Sequence, residues 1–167
     1  EEKPVDHSMN RMEHILGRYE YDAGTFYQKM LRNAADYHNM EIRRMSRLTR
    51  NLLRTMDYPY IKKKREENYR ILSRLLPSEN AFNQVFPEGP FAYPYYHKNG
   101  PALRKWLAGR KIFVPTNWRN ILEHFGKDTC EYDWAANVLP LPCDQRYGEE
   151  EMRYIAETIK EWEEIEG

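Results

Sequence analysis

The sequence predicts an α+β fold, a small and mostly antiparallel sheet covered by helices and preceded by a helical arm. Three observations carry that expectation. Phe91 to Tyr96 is a dense aromatic run closed by Lys98-Asn99-Gly100, Pro101 to Arg110 has helical spacing, and Lys111 to Val114 is a short β-branched and aromatic run stopped by Pro115. Strand, helix and strand in that order describe a split β-α-β unit. Leu103, Trp106 and Leu107 fall at i, i+3 and i+4, so Trp106 is expected to be buried between its helix and the first strand. Pro101 suits a first helical turn, and Gly109 suits a left-handed helix end.

Ahead of this unit the chain is helical. Met12 to Tyr21 has a weak helical pattern broken at Gly17, and in Thr25 to His38 the residues Phe26, Met30, Ala34 and Tyr37 share a face. A second helix is expected from Ile42, with Met45, Leu48, Leu52, Leu53 and Met56 on one side and Arg43, Arg44, Arg47, Arg50 and Arg54 over the remainder. Asp57-Tyr58-Pro59 ends it and starts another, because Asp57 can cap a helix that begins at Tyr58. That helix is long, with Ile61, Arg65, Asn68, Leu72, Leu75 and Leu76 on one stripe, and Pro77-Ser78-Glu79-Asn80 stops it. A domain boundary is expected between residues 84 and 85, with the helical arm at 1–84 and the small α+β domain at 85–167.

After the central unit, Trp118 to Phe125 is expected as a short helix and Gly126 to Trp134 as a loop. Asn137 to Leu141 is a strand interrupted by Pro140, which belongs at a sheet edge. Glu149 to Glu166 is a helix with Met152, Ile155, Ile159 and Trp162 on one stripe and three glutamates in its first turn, where the helix dipole favours negative charge.

Composition narrows function by exclusion. Charged residues make up 31% and the formal net charge is zero, so no global field draws the chain to nucleic acid or an anionic membrane. Cys130 and Cys143 form no CxxC pair and are expected as two reduced thiols of a cytoplasmic protein. No run approaches the ~18 apolar residues of a membrane span, and no signal-peptide pattern is present. The polar opening, Glu1 to Asn10, is expected to be the middle of a longer chain.

Chemistry-bearing motifs are sparse. His7, His14, His38, His97 and His124 never pair at metal-ligand spacing or beside a nucleophile motif, and neither GxGxxG nor GxxxxGK[ST] occurs, so no catalytic or metal residue is assigned. The basic residues from Arg43 to Arg74 suit either a phosphate-binding surface or a solvated face compensated by the acidic C-terminal helix. Phe91, Tyr93 and Tyr95 alternate onto one strand face, which suits a sheet core better than a stacking platform.

From about Ile42 onward several stretches, in their order, resemble the C-terminal part of the DegT/DnrJ/EryC1 sugar aminotransferases. They are Arg44-Met45-Ser46, Lys64 to Arg70, Leu103-Arg104, Thr116-Asn117-Trp118, Leu139-Pro140-Leu141-Pro142, and Gly148-Glu149-Glu150-Glu151-Met152. The resemblance implies a fold-type-I enzyme using pyridoxal 5'-phosphate on a keto sugar, nucleotide-linked, and working as a homodimer. It also implies that the large domain carrying the anchoring lysine lies N-terminal to this chain, which alone would not transaminate. Arg44, Asn117 and Trp118 become the expected substrate contacts. One departure stands out. Where the family has an asparagine two residues before the Arg of its Arg-Met motif, helping to hold the cofactor phosphate of the neighbouring subunit, this chain has Ile42. Either the register slips toward Asn39 or the chain is a divergent member with an altered cofactor contact. Two other functions remain open at this point: an RNA- or polyanion-binding module using the arginine-rich helices, and a non-catalytic dimerisation domain.

Overall fold

The computed structural model describes residues 3–22, 24–76 and 86–166. It divides into two compact units, Glu1–Met56 and Asp57–Gly167. The expected helix stop at Pro77 to Asn80 and the expected boundary at 84/85 lie outside the described residues.

In the first unit, α1 (Met9–Glu20) and α2 (Tyr27–Asp36) pack together, a 3-10 turn (Tyr37–Asn39) follows, and α3 spans Arg47–Arg54. Helix α1 runs straight through Gly17 instead of breaking there. The Phe26 ring lies against that glycine, where any Cβ would overlap it, so Gly17 is the point of close approach. Helix α3 begins five residues later than Ile42. Ser46 caps it, its Oγ accepting the Thr49 N–H at 3.0 Å. Arg44 instead forms an isolated parallel bridge with Val5.

The second unit holds α4 (Tyr58–Leu75), β1 (Tyr93–Tyr96), α5 (Gly100–Gly109), α6 (Arg119–His124), α7 (Cys130–Asn137), β2 (Val138–Leu141) and α8 (Glu149–Glu166). It is α+β, as expected. Asp57 Oδ1 accepts the Tyr60 N–H at 3.0 Å and Pro59 sits in the first turn of α4. Strands β1 and β2 pair antiparallel, with Tyr93 opposite Leu141 and Pro94 opposite Pro140. Two facing prolines are tolerable because alternate opposed pairs exchange ladder bonds. The His97 N–H donates to Asn137 O at 3.1 Å, so the exchanging positions on β1 are 97, 95 and 93, and neither proline owes a donor. Tyr93, Tyr95, Leu139 and Leu141 are buried against Leu72 of α4, Leu103 and Leu107 of α5, and Met152, Ile155 and Ile159 of α8.

Several expectations need correction. Lys111 to Val114 is not a strand and the described sheet has only two strands, so no split β-α-β unit forms. The segment's first amides are consumed in closing α5: Lys111 N–H reaches Ala108 O at 3.1 Å and Ile112 N–H reaches Leu107 O at 2.9 Å. Pro115 has no amide to offer. Ile112 and Val114 still turn into the core while Phe113 stays 76% exposed, so the alternation survives without a ladder. Phe91 lies outside β1 and is 81% exposed. Trp106 is half-buried, with its indole N–H donating to Thr158 O at 3.2 Å and its ring tilted against Trp162. The expected loop 126–134 contains the start of α7, capped by Thr129 Oγ1, which accepts the Tyr132 N–H at 3.3 Å.

The left-handed residue at the end of α5 is Lys111, at φ 63°, not Gly109. Its two closing bonds define the helix-end motif in which glycine is preferred. Lys111→Gly is expected to stabilise the chain by about 0.5–1 kcal/mol, since relief of the left-handed clash, roughly 1–2 kcal/mol, exceeds the unfolded-state entropy that glycine adds. Urea unfolding checks this, and a lowered midpoint would mean that Lys111 is unstrained.

Candidate functional site

Arg44, expected to face substrate, is engaged by its own unit. Its Nε donates to Lys3 O at 3.0 Å and its backbone N–H to Pro4 O at 2.9 Å. The neighbouring Arg43 is the one that lines a cleft of about 560 Å³ within the first unit, together with Arg11, His14, Asn33 and a cluster of hydroxyls. In that cluster Ser8 and Ser46 are buried, with their Oγ atoms 2.5 Å apart, and Thr49 Oγ1 donates to Ser8 Oγ at 3.0 Å. The start of α3 dictates this arrangement. Ser46 must turn its hydroxyl inward to cap the helix, and the bridge between Val5 and Arg44 brings Ser8 alongside. Arg11 is paired with Asp6 and lies 5.3 Å over the Tyr37 ring. Cations beside hydroxyl donors suit an oxyanion. No hydrogen bond joins His14 to any of these hydroxyls among the described residues, so the cleft has donors but no activated nucleophile.

Asn117 and Trp118 belong to the second unit. Trp118 is left-handed at φ 50°, precedes α6, and presents a ring that is 71% exposed. Asn117 beside it is half-buried.

The basic residues of α4 are matched mostly by its own acids. Lys63 and Lys64 pair with Glu67 at 3.9 and 3.8 Å, Arg70 pairs with Glu66 at 3.7 Å, and Lys62 meets Glu88 at 2.6 Å. That last contact raises the Lys62 pKa and lowers that of Glu88. The acidic helix α8 was the expected source of compensation. Four of its glutamates are committed elsewhere, Glu149 to Arg153, Glu161 to Arg110, Glu163 to the Tyr95 hydroxyl and Glu166 to His97. Arg43, Arg47, Arg50 and Arg54, by contrast, are exposed and have no carboxylate partner among the described residues.

Sequence reasoning missed the polar centre of the second unit. Asn68 sits in the apolar stripe of α4, wholly buried, and its Nδ2 donates to the carbonyls of Cys143, Asp144 and Tyr147 at 3.3, 3.0 and 3.0 Å. Three residues earlier, Arg65 donates to Gln145 Oε1 and to Pro90 O, both at 2.9 Å. Together they pin the loop after β2. A lone asparagine among leucines was the available signal. Cys143, buried beside it, has its thiol pushed up to about 12 by desolvation. Such a thiol is a structural side chain, not a nucleophile.

No described lysine is buried, and no group of three His, Cys, Asp or Glu among the described residues could hold a metal ion. No described helix is long and apolar enough to cross a membrane. No family model, curated protein or solved structure matches the chain.

Proposed function

We propose that this chain is the C-terminal part of a pyridoxal-phosphate-dependent aminotransferase acting on a nucleotide-linked keto sugar, cytoplasmic and homodimeric. The observation that supports it most is how two of the stretches carrying the resemblance meet in the second unit. Asn68, from the Lys64 to Arg70 stretch, bonds the loop that follows Leu139-Pro140-Leu141-Pro142, and Leu139 and Leu141 pair with the aromatic strand. Segments that bear on one another in this way act as parts of one domain. Asn117 and the open ring of Trp118 are the contacts offered to a sugar.

The cofactor does not fit the described residues of this chain by themselves. A lysine that anchors pyridoxal phosphate sits in a desolvated pocket that lowers its pKa, whereas every described lysine here is exposed or half-exposed. The anchoring lysine therefore belongs, in this reading, to a large domain N-terminal to Glu1. The cofactor, held there, would serve as the electron sink, and this chain would orient the substrate and exclude water. Ile42, 75% exposed, stands where the family has its phosphate-holding asparagine.

The test uses both forms of the protein. The 167-residue chain mixed with pyridoxal phosphate is expected to give only weak adducts that vanish on dilution. The longer protein is expected to purify yellow, bleach with glutamate and recover its colour with a keto-sugar acceptor. Ile42→Asn in it should tighten cofactor retention. A longer protein that stays colourless with added cofactor removes the enzyme reading, and unchanged retention in Ile42→Asn removes only the register.

A polyanion-binding function has one observation in its favour, the uncompensated arginines 43, 47, 50 and 54, spaced four, three and four apart. RNA binding that survives physiological salt would move the assignment there, because phosphate contacts by themselves weaken steeply as salt rises.

A further inference from the structure

A cleft of about 370 Å³ opens in the second unit where the end of α5 meets the first turns of α8. That is the size range of small-molecule sites. Its floor is apolar, made by Ile112 and Ile155, both buried, with Pro142 and Tyr147. Its rim is basic, with Arg110, Lys111 and Arg146 against one lining carboxylate, Glu151.

Three of these four charged groups are already held. Arg110 Nε lies 3.6 Å from Glu161 and its guanidinium 3.2 Å over the Trp106 ring centre. Arg146 forks onto Asp144 at 2.7 and 2.9 Å, which holds the Asp144 carboxyl below the usual carboxylate range despite its burial. Glu151 accepts the Gly148 N–H at 2.7 Å. Both guanidiniums keep unused N–H donors. Lys111 is different, for no ion pair or hydrogen bond of its amine occurs among the described residues. Its backbone is nevertheless fixed, locked in the left-handed conformation by the closing bonds of α5. Two residues on, Phe113 lines the same cleft with a ring that is 76% exposed.

An unpaired ammonium on a fixed backbone, two pre-positioned guanidiniums, an apolar floor and an open aromatic face complement a ligand with an anion at one end and a flat ring at the other. We propose that this cleft binds a nucleotide, with Lys111 and Arg146 taking the phosphate and Phe113 stacking on the base. The retained strain at Lys111 then has a purpose, since glycine would close the helix better but would carry no amine. The inference stands without the aminotransferase reading. If both hold, the nucleotide part of the sugar substrate is the occupant.

The chain itself can be titrated with uridine 5'-monophosphate, adenosine 5'-monophosphate, ribose 5-phosphate, uridine and adenosine, by calorimetry and by amide chemical shifts. The nucleotides are expected to bind, more weakly as salt rises, and to shift the amides of 110–113 and 146–147. Ribose 5-phosphate and the nucleosides should each bind at least about tenfold more weakly, one charge-assisted contact or one stacked ring being worth that much. Lys111→Gly should fold at least as stably as the parent yet bind the nucleotides about tenfold more weakly, while Lys111→Arg stays near the parent. Because the glycine variant relieves strain, its loss of binding cannot be put down to misfolding. Phe113→Ala should weaken the nucleotides and leave ribose 5-phosphate unchanged. Parental affinity in Lys111→Gly, ribose 5-phosphate bound as tightly as a nucleotide, or no nucleotide binding at millimolar concentration would each overturn the proposal. Nucleotide binding together with a colourless longer protein would keep the cleft and remove the enzyme.

Discussion

Asn68→Leu is expected to destabilise the protein by about 2–3 kcal/mol, although it puts an apolar residue into an apolar stripe. The size comes from what is left behind. Asn68 Nδ2 shares its two N–H groups among three backbone carbonyls, of Cys143, Asp144 and Tyr147, the first bond buried and the other two part-buried. A buried acceptor stranded without a donor costs roughly 1–3 kcal/mol. Leucine offers them nothing. The loop they belong to carries Arg146 into the α5–α8 cleft, so the variant should also loosen nucleotide binding there.

Asn68→Asp sharpens the test, because a carboxylate facing three carbonyls is worse than no donor at all. Burial raises the folded pKa of the introduced carboxyl above its unfolded value of about 3.9. The variant's deficit relative to the parent should therefore be smallest below that unfolded value, where the carboxyl is protonated and donates. It should grow as pH rises through the folded value. Urea titrations of parent and variants across pH read both effects. A leucine variant as stable as the parent would show that the three bonds contribute nothing net.

Tyr93→Ala is expected to cost about 3–5 kcal/mol, the range for removing a fully buried large aromatic. Tyr93 has no exposed surface, pairs with Leu141 across the sheet and meets the Tyr69 ring edge-on at 4.9 Å between centroids. Phe91→Ala, only two residues earlier, should change stability by less than about 0.5 kcal/mol, as surface substitutions usually do. The pair measures where β1 begins. Equal losses at both positions would return Phe91 to the buried face of the strand and contradict a start of β1 at Tyr93.

Much of the helical architecture was legible before any coordinates, and the reason is that helices are specified locally. The apolar stripes of α4, α5 and α8, the Asp57 cap, Pro101 in a first turn and the glutamates opening α8 all act over one or two turns, and each appears where its residues put it. Helix α7 was missed although its signal was equally local. Thr129 as cap, with Glu131 and Asp133 in the first turn, was overlooked beside Gly126 and Asp128.

The sequence by itself determined that the chain is α+β, which faces of its longest helices are buried, and which residues could bear charge toward a ligand. Only the tertiary structure decided which segments pair. Tyr93 finds Leu141 across three intervening helices, while the segment of Ile112 and Val114, as β-branched as any strand, has the amides of Lys111 and Ile112 drawn off by the end of α5. The same holds for the sites. Of the adjacent Arg43 and Arg44 the sequence favoured Arg44 as the substrate contact, but a backbone bridge to Val5 turns Arg44 to its own chain and leaves Arg43 on the cleft. Asn68 looks like an interruption in a leucine stripe until three carbonyls from a loop some seventy-five residues away converge on it. Such assignments depend on contacts between residues far apart in the chain, and periodicity carries no information about those.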